Sequence, residues 1–392
     1  MNFDFSEEQT MLRDSVARFV QDDYDFDTRR SIVESDSGMS ADNWSTFAEL
    51  GWLSVPFAED HGGFGGGPVD LMVMMEEFGK GLVVEPYFAT VVLFGGVLRI
   101  AGNEQQQSEY IPGIIDGSRL GAFAYLERQS RYEFSDMTSR AVASGDGFVL
   151  NGEKVLVANG ANADTLVVAA RTAGDQSDQH GISLFLVAAD AAGVERTSYR
   201  LMDGQLVANI TFRDVALNAD ALLGELHGGY ALMDRAILEA TIALSGEAIG
   251  LMGQLNAKTL EYTKTREQFG VAISNFQALQ HRMVDTFMSY EQAKSMLYRA
   301  VCALENGDEN LRREVHALKV VISKCGQHIY EEAIQLHGGM GMTDELDIAH
   351  YAKRLMMINA TFGDGDYHQG QFNALSYGSD SDAKVSSMSD AA

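Results

Sequence analysis

Asp364 stands between two glycines in Phe362-Gly363-Asp364-Gly365-Asp366, at the end of an apolar run. A carboxylate on such a tight turn can point into a cavity and act as a general base. The competing reading is a solvated acidic turn between helices. Some twenty residues upstream lies Gln335-Leu336-His337-Gly338-Gly339-Met340-Gly341. Glycines there let backbone amides approach a ligand closely, because they carry no Cβ. Arg266, in Thr265-Arg266-Glu267-Gln268-Phe269-Gly270, offers a guanidinium fork that matches phosphate oxygens. Its plain alternative is a solvated arginine at a helix end. Glu247 sits among small and apolar neighbours in Ser245-Gly246-Glu247-Ala248-Ile249-Gly250. A lone carboxylate there is costly unless it is paired or functional. It is therefore a second candidate base, or the partner of a Lys or Arg. No Cys/His cluster has zinc spacing, so no metal site is predicted.

Three kinds of segment must position these residues. Up to about residue 116 the chain reads as helices. Ser6-Glu7-Glu8-Gln9 has the form of a capping start, and Met11, Leu12, Val16, Phe19 and Val20 share one face. His61 to Pro68 is a glycine-rich turn with no strand–helix context for phosphate, followed by a helix over Val69 to Phe78. From 117 to 224 short β-branched runs predict a β-domain, with strands over Thr165 to Ala169, Ser183 to Val187 and Asn209 to Phe212. Asn151-Gly152 reads there as a hairpin turn. From 225 to 378 apolar residues recur at helical steps over Ala231 to Glu261, Phe276 to Glu305, Arg312 to Gln335 and Asp347 to Met357. These four predict a bundle, with Met283, Met288, Met296, Met356 and Met357 as core fillers. The Ser-, Asp- and Ala-rich tail, 379–392, reads as disordered.

Composition narrows the function. At 392 residues, 46% hydrophobic and 22% charged, the chain suits a large globular core. A net charge of −27 argues against nucleic acid and against an anionic membrane surface. No apolar run follows a basic start and none reaches membrane-span length, which predicts a cytoplasmic protein without a signal peptide. Cys302 and Cys325 then read as free thiols.

Tyr262 to Gly270, followed by Ile273-Ser274-Asn275-Phe276-Gln277-Ala278-Leu279-Gln280, resembles the arginine–glutamine–phenylalanine–glycine signature of the acyl-CoA dehydrogenase family. The glycine segment and the carboxylate turn follow in the family's order. The resemblance runs from about Phe5 to Tyr377 and is nearest to small-subunit pimeloyl-CoA-type dehydrogenases, which share the FGD-x-D-H turn. It implies an α+β acyl-CoA dehydrogenase fold: an N-terminal helical domain (1–116), a central β-domain (117–224) and a C-terminal four-helix bundle (225–378).

It also implies FAD as cofactor, with Arg266, Phe269, Phe276 and Gln277 lining it and Leu156 and Ala158 on the strand that covers the flavin. Gln335, Gly338 and Gly339 would meet the FAD of a neighbouring subunit, which implies a homo- or hetero-oligomer. The reaction would oxidise an acyl-CoA to its 2,3-enoyl-CoA with Asp364 as base. Electrons would leave to an electron-transferring flavoprotein.

The chain departs from the family pattern in several places. Asp364 replaces a glutamate, Ala158 replaces a threonine, and Asp366 and His368 replace a threonine and a glutamine. Leu126 to Tyr132 replaces the TEP-x-x-GSD stretch, with Arg128 and Arg131 available to a second substrate carboxylate or to surface ion pairs. The family's alternative base position is Ala240, with Glu239 and Glu247 as the carboxylates nearby, and Thr241 stands where an arginine meets the thioester. These departures keep open a second reading: a weakly active or non-catalytic subunit of a heteromeric dehydrogenase.

Overall fold

The computed structural model describes residues 5–378. The tail from residue 379, read as disordered, lies outside the described residues. Two compact units divide the chain after Ala243.

The first unit opens with helices α1 (Glu7–Asp22), α2 (Phe26–Glu34), α3 (Ala41–Glu49) and α4 (Pro68–Gly81). Ser6 closes a full capping box: its hydroxyl accepts from Gln9 N at 3.1 Å, and the Gln9 side chain accepts from Ser6 N at 3.0 Å. Phe19, Phe47, Trp52 and Phe78 then meet ring to ring, with centroids 5.0–5.9 Å apart. A π-helical run, Phe88–Phe94, passes directly into α5 (Gly95–Ala101), and α6 (Glu104–Ile115) follows.

The sheet comes next: β1 (Gly121–Ala124), β2 (Arg140–Ser144), β3 (Gly147–Ala158), β4 (Thr165–Arg171), β5 (Ile182–Ala188), β6 (Val194–Arg200), β7 (Leu206–Leu217) and β8 (Leu222–Leu223). Its order is β6-β7-β3-β2-β4-β5-β8, with β1 parallel to β4. Leu150, Leu166, Val168, Phe185, Ile210 and Phe212 fill its core. Arg29 of α2 is buried and clasps helices to sheet, donating to Leu82 O and Asp203 O.

One local expectation is overturned. Asn151-Gly152 is not a hairpin turn; both residues lie inside β3. The hairpin turn is Gly145-Asp146, closed by Ser144 opposite Gly147, with Gly145 at φ +59°. Gly152 instead marks a register shift between β3 and β7, where φ is +146° and a Cβ would collide with Ser139.

Helix α7 (Gly229–Thr265) starts in the first unit and ends in the second. Its most apolar window is 83% buried, as befits a core helix. The second unit adds the short pair β9 (Glu267–Gln268) and β10 (Val271–Ala272), then α8 (Gln277–Glu305), α9 (Leu311–His337), α10 (Ile348–Ala360) and α11 (Gly365–Tyr377). Helix α9 packs against α8, α10 and α11, burying Val315, Leu318, Ile322 and Ile329 at three-, four- and seven-residue steps.

The four expected helices are present and α11 is a fifth that periodicity did not reveal. The five methionines are not core fillers: Met288 is 50% exposed and the other four are only half-buried. Cys302 and Cys325 are free thiols.

Candidate active site

Asp364 is the N-cap of α11, and its Oδ1 accepts from Tyr367 N at 2.9 Å. The capping bond orients the carboxylate at the start of the helix. The connection leading to it is constrained. Buried Phe362 has φ +62° and Gly363 has φ +124°. At Gly363 a Cβ would collide with the Tyr367 ring and His368 Nε2, so glycine is required there. His368 is 3% exposed, and its Nδ1 lies 2.8 Å from His316 Nδ1 on α9, one nitrogen donating and the other accepting. Burial, the Lys319 ammonium and His316 push the His368 imidazole down to about 3, which keeps it neutral.

At the other end of this unit, Arg266 follows the last turn of α7 and Phe269 the β9 strand. Both are exposed, Phe269 by 93% with φ +56°. Among the described residues no carboxylate pairs with Arg266. Phe276 caps α8, ring to edge with Phe269 at 6.2 Å, and Gln277 opens that helix at the surface.

The glycine segment ends α9. Its neighbour His337 stacks on Tyr262 at 4.3 Å and Tyr262 donates to His337 O, which ties the segment to the end of α7. Gly338 has φ +60°, and a Cβ at Gly341 would press on Ile334 O. Gly339 has neither constraint: a Cβ there would meet open space. Nothing within the described chain requires a glycine at 339, which suits a backbone kept bare for a cofactor or another subunit. Gln335 is exposed on the last turn before it. An exposed guanidinium and an exposed aromatic ring have the chemistry to meet a phosphate and a ring system, and the bare glycine backbone lets amides approach a ligand closely.

In the β-domain, Leu156 sits at a second β3–β7 register shift with φ +54° and 45% exposure. Its amide donates to Asn209 Oδ1, which also accepts from Tyr199 Oη. The bulge turns an apolar side chain outward, and Ala158, two residues on, has no side-chain hydrogen-bonding group.

The Leu126 to Ser139 loop is anchored by Glu127, whose carboxylate takes Lys154 Nζ at 2.7 Å, Thr138 N at 2.7 Å and Ser139 N at 3.0 Å. Burial raises the Glu127 carboxyl, but Lys154, the Thr138 hydroxyl and the Gln129 amide more than reverse it and hold it far below the usual range. Arg171 closes the loop's far side by donating to Ser135 O, Met137 O and Gln176 O. Glu127, Lys154 and Arg171 were missed in the sequence, where they read as ordinary strand and loop charges. Arg128 faces Glu153 at 3.4 Å, a surface pair, and Arg131 lies exposed at φ +45°.

Glu247 is 5% exposed and held by buried Arg354 at 2.5 and 2.8 Å. This is the ion-pair arrangement weighed above against a base. Glu239 is likewise engaged, by Arg99 and by Arg235, the latter at 2.7 Å.

Most of the chain matches acyl-CoA dehydrogenase domains: the N-terminal domain over residues 6–118, the middle domain over 122–215 and the C-terminal domain over 227–373. The chain belongs to the acyl-CoA dehydrogenase family, whose members are FAD-dependent oxidoreductases. It is 30% identical to a probable acyl-CoA dehydrogenase, YngJ, of Bacillus subtilis over 89% of this chain and 92% of that one. It is 27% identical to CarC, a subunit of the caffeyl-CoA reductase–Etf complex of Acetobacterium woodii, over 88% and 91%. Among solved structures, that of PigA with FAD and proline superposes with a TM-score of 0.89 at 26% identity, covering 96% of this chain and 99% of that one.

Proposed function

We propose that this chain oxidises an acyl-CoA thioester at Cα–Cβ, with Asp364 as the base that takes the α-proton. The observation that carries this is Asp364 itself: an oriented, capped carboxylate on a constrained turn, in the family's order after the glycine segment. FAD would supply the hydride acceptor for the β-hydrogen. Arg266 would hold its pyrophosphate, with Phe269, Phe276 and Gln277 along it. Gln335, Gly338 and Gly339 would serve the cofactor of a second subunit. Leu156 would cover the flavin face where Ala158 contributes backbone alone. Aspartate is one methylene shorter than glutamate, so the turn must lie closer to the substrate.

Electron-transferring flavoprotein is the proposed acceptor, supported by the Etf-complex subunit among the relatives. Exposed Val284, Phe287 and Met288 on α8 support an oligomer, as does Phe269. The Phe362 to His368 turn, FGDGDYH, supports a pimeloyl-type, dicarboxylic substrate. Free thiols support a cytoplasmic location.

A second reading, a weakly active or non-catalytic subunit of a heteromer, is favoured by Ala158, which lacks the family hydroxyl. One experiment separates the two. The purified protein should show flavin absorbance, and anaerobic addition of acyl-CoAs, including dicarboxyl-CoAs, should bleach it. Asp364→Asn should slow bleaching about 10²-fold or more while retaining FAD. A yellow protein that no acyl-CoA bleaches would support the second reading.

A further inference from the structure

One face of α9 carries His316, Lys319 and Ser323, at spacings that stack along a helix. All three meet the chain on either side of Asp364, between Ile358 and His368. Ser323 backs Gly365, where a Cβ would come within 3.0 Å of its own. His316 holds His368. Lys319 does something less expected. Its side chain is 1% exposed, and its ammonium donates to Ile358 O at 2.6 Å and Asn359 O at 3.1 Å. These carbonyls belong to the last turn of α10, where a helix runs out of internal donors and welcomes a cation.

Two residues later the backbone enters the left-handed region at Phe362. A bulky residue held there costs about 1–3 kcal/mol and persists only where its surroundings dictate it. Lys319 grips the chain just before that point, and the Asp364 cap and the His316–His368 pair grip it just after.

A buried ammonium is an expensive way to fill a helix–helix contact. Burial pushes Lys319 down to about 7, against the opposing pull of the Asp364 carboxylate. A leucine or methionine would pack the same space at no such cost. The charge is therefore best understood by what it holds.

We infer that Lys319 is a positioning residue for Asp364. By fixing the last turn of α10, it holds the Phe362–Gly363 connection in its left-handed form and sets where the Asp364 carboxylate is presented. This rests on Asp364 being the base. A short carboxylate has little slack, and a misplacement of about 1 Å can cost about 10²-fold in rate.

Lys319→Met keeps the apolar stem and removes the donors; Lys319→Gln keeps an N–H donor group on a shorter side chain without charge. Three readouts are needed: retained FAD, the anaerobic bleaching rate with a saturating acyl-CoA, and hydrogen exchange of the amides of Thr361, Tyr367 and His368, which close this turn. Lys319→Met should keep FAD and bind acyl-CoA as the parent does. It should bleach about 10- to 100-fold more slowly, with exchange at those three amides raised about tenfold and mid-α9 amides unchanged. Lys319→Gln should fall between.

Native exchange and native bleaching in Lys319→Met would overturn the proposal. So would loss of the fold in both variants, which would make Lys319 a general stabiliser. Asp364→Asn, run alongside, keeps the two readings apart. Native bleaching there removes the base assignment, while the exchange data still report whether the turn depends on Lys319.

Discussion

Arg354 grips both carboxylate oxygens of Glu247, Nε to Oε1 at 2.5 Å and Nη2 to Oε2 at 2.8 Å, with both side chains nearly excluded from water. A pair this closed satisfies the charge that sequence alone left unexplained. Glu247→Gln should therefore leave flavin bleaching by acyl-CoA within about twofold of the parent while destabilising the protein by about 3–5 kcal/mol, because it removes the carboxylate charge that balances a buried guanidinium. Denaturant unfolding and stopped-flow bleaching of the same preparation check this. A large rate loss with native stability would restore Glu247 as a base.

Arg266 is exposed and has no carboxylate partner among the described residues, so its removal should cost the apoprotein little. Arg266→Ala should melt within about 0.5 kcal/mol of the apo parent yet purify with most of its flavin lost. The ratio of flavin to protein absorbance reads this directly. Full FAD retention with normal affinity would contradict the phosphate-binding role.

His368 predicts an acid sensitivity. Its pKa in the folded chain, about 3, lies below the ordinary imidazole value of 6.5. As pH falls below 6.5 the unfolded chain takes up a proton that the folded chain refuses. Stability is thus full above 6.5 and is lost toward 3, at up to about 1.4 kcal/mol per pH unit. His368→Asn cannot titrate, so the stability difference between parent and variant should shift in the variant's favour across this window. Urea unfolding at pH 7, 6, 5 and 4 measures it; parallel curves would rule out His368 as the source.

Val284, Phe287 and Met288 expose 55%, 57% and 50% of their surface on one stretch of α8. Apolar groups gathered in this way mark an interface. The protein should sediment as a dimer or a dimer of dimers. Phe287→Glu should shift it toward monomer and weaken FAD retention, because the glycine segment is proposed to serve a partner's cofactor. A stable FAD-loaded monomer of the parent chain would contradict both.

Much of the helical framework was legible because its cause is local. Residues three and four apart share a face, so Val315, Leu318, Ile322 and Ile329 announce α9 without knowledge of what they pack against. The Ser6 capping box is equally local. So is the Asp364 cap, which reaches only to Tyr367; the signal for α11 was present in that aspartate but was masked by the glycines around it.

Tertiary structure decided what depends on distant partners. Gly152 carries the same cues in a turn as in a bulge, and the pairing of β3 with β7 selects the bulge. Glu247 waits on Arg354, 107 residues away, and Lys319 on the carbonyls of Ile358 and Asn359. A buried charge must find its partner wherever folding brings one. Sequence can therefore state that Glu247 needs a partner, but only the packed chain shows that the partner is Arg354 and that Lys319 is a buried charge at all.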